Sequence, residues 1–152
     1  MLGDALHMLD KSIEICNRLQ RQGNLDMDTL ARTLYIKAKV RQKQGDLEAA
    51  TGLFTKVLAI QMERVGEMDP ATADTYEQLA AAYDEQGMLE DGKNALNKAF
   101  EIRRKVLGDS HPMTKRLVPI VEWHSDLSNL ELFYKAQALK EQGLRMAAEG
   151  DL

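Results

Sequence analysis

Apolar positions along the chain recur at helical spacing, and the recurrence is itself repeated. Tyr76, Leu79, Ala80 and Tyr83 stand at i, i+3, i+4 and i+7, one face of a 3.6-residue helix. A second apolar face follows at Leu89, Leu96, Ala99 and Phe100. Between them Gly87 supplies the left-handed position that ends a helix cheaply. Asp69 and Pro70 open the first helix with a capping carboxylate and a first-turn proline. The stretch 69–112 therefore predicts a helical hairpin with one apolar side on each helix.

The hairpin occurs twice. Gly45 precedes Gly87 by 42 positions and Pro70 precedes Pro112 by the same 42. Ala31 then matches Ala73, Thr33 matches Thr75, Ala38 matches Ala80, and Gln44 matches Gln86. In the second helices Leu47 matches Leu89, Glu48 matches Glu90, Lys56 matches Lys98, Ile60 matches Ile102, and Gly66 matches Gly108. A fixed offset that carries turn residues as well as apolar ones predicts an all-α stack of hairpins. First-position helices are expected over about 29–44 and 71–86, and second-position helices over about 47–65 and 89–107.

The flanks are weaker copies. Residues from about Asp4 to Leu19 predict one amphipathic helix with Ala5, Leu6, Leu9, Ile13 and Cys16 inward. Its segment 9–15 resembles 54–60, which makes it the second half of a repeat, and Gly23, Asn24, Asp26 and Asp28 form the following loop. Past Pro112 a third first-position helix is expected over 113–126. Pro119 lies inside it, and an interior proline, costing roughly 3 kcal/mol, kinks or restarts a helix. Trp123 either plugs the last groove of the stack or anchors an interface. Ser128 and Glu131 have capping-box spacing and are expected to open a last helix ending near Ala148. Its stripe is Leu130, Phe133, Ala136 and Leu139, with Leu132 alongside. It either caps the stack or pairs with a second copy of itself. Residues 149–152 are expected to fray.

Residue types at matched places point to a family. Ala80 and Tyr83, with Ala50 and Phe54, resemble the small and aromatic positions of the tetratricopeptide repeat. The 42-residue period, Ala-Tyr-Asp-Glu-Gln-Gly (82–87) and Glu-Ile-Arg-Arg-Lys-Val-Leu-Gly-Asp-Ser-His-Pro (101–112) resemble its longer kinesin-light-chain type, from about Asp28 to Pro112. The resemblance implies a right-handed α-solenoid of about seven helices. It divides the chain into a partial repeat (1–27), two repeats (28–69 and 70–111) and a degenerate repeat with a C-terminal capping helix (112–152). It also implies a non-enzymatic scaffold or adaptor that holds a peptide segment of a partner protein. Where that type commonly carries Leu-Asn-Asn-Leu-Ala, this chain reads Leu34-Tyr35-Ile36-Lys37-Ala38 and Tyr76-Glu77-Gln78-Leu79-Ala80.

Composition narrows the partners. At 152 residues and 44% hydrophobic the chain can bury one continuous core. Twenty basic against 24 acidic residues, a net charge of −4, argue against nucleic acid and anionic membrane. One cysteine, Cys16, excludes an internal disulfide and reads as an apolar filler. No apolar run approaches the roughly 20 residues of a membrane span. The N-terminus lacks the regions of a secretory signal, so a cytoplasmic setting is expected.

Charge is segregated between consecutive first-position helices. Arg32, Lys37, Lys39, Arg41 and Lys43 fall in one without an acid, and Asp74, Glu77, Asp84 and Glu85 fall in the next without a base. Two readings stay open. The rows pair with each other along the helix contact, each exposed pair contributing roughly 0–1 kcal/mol. Alternatively they line one groove, with Arg32, Tyr35, Lys39 and Gln42 facing Asp74, Glu77, Ala81 and Asp84 and steering a peptide of mixed charge. Arg64, Arg103, Arg104 and Lys105 suit the negative ends of their helices.

Catalytic patterns are missing. His7, His111 and His124 have no histidine or cysteine at ligand spacing, so neither metal nor cofactor is expected. His111 reads as a polar loop residue. The alternative function is an oligomerisation or assembly module that uses the C-terminal helix and the exposed ends of the stack.

Overall fold

The computed structural model describes residues 1–23 and 26–149, apart from the side chains at 128, 133 and 147–149. Asn24 of the expected loop, the side chain of Phe133 in the expected stripe and the expected frayed residues 150–152 lie outside the described residues. Seven helices and no strand are found among them: α1 (Leu2–Arg21), α2 (Met27–Lys43), α3 (Leu47–Arg64), α4 (Pro70–Glu85), α5 (Leu89–Leu107), α6 (Pro112–Lys115) and α7 (Val118–Glu149). No helix among the described residues is long and apolar enough to cross a membrane.

Each hairpin is set by local chemistry. Gly45 and Gly87 adopt φ of +80° and +77°, a region that costs a residue with a Cβ about 1–2 kcal/mol. The chain then reverses in the same way twice: the Asp46 N–H donates to the Arg41 carbonyl at 3.0 Å, and the Met88 N–H to the Tyr83 carbonyl at 2.9 Å. Asp26, Asp46 and Asp69 cap α2, α3 and α4, accepting from the amides of Asp28, Ala49 and Ala71.

Packing runs between chain neighbours, α1 on α2, α2 on α3, α3 on α4, α4 on α5, and α5 on α6 and α7, as a stack of repeats requires. The main cluster holds Ala38, Phe54, Leu58, Leu79, Ala80, Leu96, Ala99 and Leu117, and a second one joins Cys16 of α1 to Leu30, Leu34 and Val57. Phe54 and Leu96 occupy equivalent places in α3 and α5, and full burial of such a side chain contributes about 1.5–3 kcal/mol.

The C-terminal third departs from expectation. The chain turns at Arg116–Leu117 and restarts at Val118, which puts Pro119 in a first turn, where it removes no helical hydrogen bond. From there α7 runs unbroken through Ser128 and Glu131 to Glu149, so these two residues do not open a separate helix. An N-cap needs non-helical backbone, and no glycine or proline between Ile120 and Gln142 interrupts the helix.

Candidate functional site

The basic row on α2 and the acidic row on α4 do not neutralise each other. Between them there is a hydrogen bond from Gln42 Nε2 to Glu85 Oε1, 2.6 Å. Lys37 is drawn back onto Asp10 of α1, and Arg41 reaches Asp46 at 3.4 Å. Asp74 and Glu77 pair instead with cations that come later in the chain, because the first turns of α4 lie beside the end of α5 and the start of α6.

Arg103 is the centre of that arrangement. It is 3% exposed, with Nη2 at 2.5 Å from Asp74 Oδ1 and Nη1 at 2.8 Å from Glu77 Oε2. Nη1 also donates to the Met113 carbonyl at 3.3 Å. Arg116 Nη2 takes the other Glu77 oxygen, Oε1, at 2.6 Å. Arg103, expected only as a cation that suits the negative end of its helix, is also a buried clamp between α4 and α6. Further along, His124 Nε2 lies 3.0 Å from Asp84 Oδ2, and His124 is 2% exposed. Asp84 Oδ1 is buried without a hydrogen-bond partner among the described residues and occupies the space that a Cβ at Gly92 would take.

On α2, Tyr35 is half-buried with its ring edge-on to Phe54, centroids 5.6 Å apart. Lys39 Nζ sits 5.9 Å from the Tyr35 centroid, within cation–π range. Burial pushes the Tyr35 phenol above its ordinary value, and the charges of Asp74 and Glu77 push the same way. Arg32 and Lys39 have no carboxylate partner among the described residues. Ala81 is exposed. Trp123 does not plug a groove; it is 51% exposed, edge-on to His124, and stands in the register of Lys39 and Ala81.

A cleft of about 480 Å³ opens between α2 and α4, walled by Arg32, Tyr35 and Ile36, Ile60 and Gln61 of α3, and Asp74. Three of the eight candidates thus meet in one place. Gln61 Nε2 donates to the Ala71 carbonyl at 3.2 Å, while its Oε1 is buried without a partner among the described residues. Gln61 and Arg103 are equivalent residues of successive repeats. The long arginine fills the interval between α4 and α6, and the shorter glutamine leaves the interval between α2 and α4 open. Sequence reasoning missed Arg103; the aligned Gln61 was its one visible signal. No group of metal-ligating side chains occurs among the described residues. His111 Nδ1 accepts from the Met113 amide at 3.2 Å and so caps α6.

Residues 29–105, just over half of the chain, match the sequence profile of the tetratricopeptide repeat. Protein KINESIN LIGHT CHAIN-RELATED 3 of Arabidopsis thaliana is 33% identical over 69 residues, 45% of this chain and 11% of that protein. The crystal structure of BtubC (BKLC) from P. vanneervenii superposes with a TM-score of 0.62 at 21% identity, over 91% of this chain and 54% of that one. The chain thus spans about a tenth of the curated relative and about half of the structural neighbour. Over 69 residues the chain is thus similar to a kinesin-light-chain-related protein, and the hairpins joined at Gly45 and Gly87, together with the profile match over 29–105, place it in the tetratricopeptide-repeat family.

Proposed function

We propose that this protein is a non-enzymatic scaffold that holds an extended segment of a partner protein in the cleft between α2 and α4. Tetratricopeptide repeats mediate protein–protein interaction. The observation that carries the site is the pairing pattern among the described residues: Asp74, Glu77 and Asp84 are engaged by Arg103, Arg116 and His124, while Arg32 and Lys39 beside the cleft keep their charge unpaired. The sequence suggested a segment of mixed charge. Asp28 and Asp69 also line the cleft, Asp28 paired with Arg64 at 3.7 Å and Asp69 accepting from the Ala71 amide. The unpaired charge is therefore that of Arg32 and Lys39, which favours a segment that alternates apolar side chains with carboxylates.

Fluorescence anisotropy with labelled peptides tests this reading, one alternating leucine with glutamate and one alternating leucine with lysine. The acidic peptide should bind more tightly. Arg32→Glu combined with Lys39→Glu should weaken its binding by at least about tenfold, or roughly 1.4 kcal/mol. Equal affinity for both peptides, or no effect of the double reversal, rejects the site.

A further inference from the structure

The second half of α7 carries the pattern of a helix that it does not behave like. In α5 the residues Gly92, Ala95, Ala99, Phe100 and Ile102 turn toward the stack, as do Ala50, Leu53, Val57, Leu58 and Ile60 at the same places in α3; all are buried or half-buried. At an offset of 44 small or apolar residues return at all five places, as Ala136, Leu139, Gly143, Leu144 and Met146. Lys140, at the place of Phe54 and Leu96, is the departure. By this pattern the segment is a third second-position helix. Yet from Asn129 to Met146 every described side chain is exposed.

Its own first-position partner is covered only in part. In α4, Leu79 and Ala80 are buried beneath α5, whereas their counterparts Val121 and Glu122 in α7 are half-buried and exposed. A hairpin would bring the two halves together, but the glycine of the earlier turns is replaced here by Asn129, and the helix continues straight. At 1.5 Å per residue, Met146 lies roughly 28 Å beyond Leu127 along the axis, so one half of α7 cannot fold against the other.

We propose that the second half of α7 packs on the first-position face of α7 in a second copy of this chain, closing two third hairpins by exchange across a two-fold axis. The occupant follows from the repeat itself. The exposed helix has the face that fits a first-position surface, and among the described residues each copy presents one such helix and one such surface. An isologous exchange satisfies both, and it forms a closed dimer rather than a filament.

The test is light scattering coupled to size exclusion over a wide concentration range, using the full chain and two variants, with helicity followed by circular dichroism. The full chain should be a dimer. Leu139→Glu with Leu144→Glu should be a monomer of unchanged helicity per residue up to Leu127. Asn129→Gly with Leu130→Asp copies the Gly45-Asp46 turn; it should also give a monomer, with its helix now closed on itself and α7 amides protected from hydrogen exchange. A full chain that is monomeric at every concentration overturns the proposal, and so does a dimer that survives the Leu139 and Leu144 changes. A dimer that these changes dissociate but the restored turn leaves intact also overturns it, since the tails would then be pairing side by side without exchange. Arg32→Glu with Lys39→Glu should leave the dimer unchanged, which separates this result from that of the cleft.

Discussion

Arg103 donates to the Met113 carbonyl at 3.3 Å as Gln61, 42 residues earlier, donates to the Ala71 carbonyl at 3.2 Å. Position and acceptor are both kept across the repeat, while the side chain changes length and charge. The charges around it change in step: Asp74 and Glu77 flank Arg103, and their counterparts Arg32 and Tyr35 flank Gln61. A guanidinium at 61 would face Arg32, so the open cleft and the filled interval follow from one exchange of sign.

Removing the clamp should be costly. Arg103→Met leaves Glu77, 15% exposed, with Arg116 alone and Asp74 with no cation. Breaking a buried pair costs about 3–5 kcal/mol, and the low end, about 3 kcal/mol, is expected because Asp74 is 53% exposed. The urea midpoint should fall accordingly. Arg103→Gln should lose less, since Gln61 shows that a glutamine spans the same carbonyl. A methionine variant as stable as the parent would mean that water solvates both acids.

Gly92→Ala should act through Asp84. The added methyl overlaps Asp84 Oδ1 and approaches the Ala80 carbonyl to 3.3 Å, so the carboxylate must leave His124. Overpacking of this kind costs about 1–3 kcal/mol. In the preceding repeat Ala50 is tolerated opposite Gln42, which hydrogen-bonds outward to Glu85. The two changes should therefore be non-additive: Asp84→Ala with Gly92→Ala should be no less stable than Asp84→Ala alone. Additive losses would show that the glycine serves something other than the carboxylate.

The Tyr35 phenol should titrate above about 10, its ordinary value, because burial and then Asp74 and Glu77 disfavour the phenolate. Its folded value lies above the unfolded one. The contribution to stability is therefore complete below the unfolded value and is lost as pH rises through the folded one. Ultraviolet titration of the parent against Tyr35→Phe should isolate a late-ionising tyrosine, and Asp74→Asn with Glu77→Gln should move it part of the way back. A difference curve centred at the ordinary value would contradict the burial of that ring.

The helices were legible in the sequence because their causes are local. An apolar residue every third or fourth position, an aspartate before the first turn and a glycine at φ near +80° act within a few residues of themselves. The repeat then carried the stacking, since Ala38 and Ala80, or Ile60 and Ile102, hold the same places 42 residues apart. The capping-box spacing of Ser128 and Glu131 was also local, but it misled. Without a helix-breaking residue beside it, continued helical hydrogen bonding prevailed.

By itself the amino-acid sequence determined the hairpins, their order and the rows of charge on α2 and α4. Only the tertiary structure decided which charges meet. Arg103 and Asp74 are 29 positions apart and His124 and Asp84 are 40 apart, separations at which composition carries no geometry. Ion pairs form wherever the stack brings opposite charges within a few ångströms and excludes water. That placement belongs to packing, and it left the cleft beside Arg32 and Lys39 open.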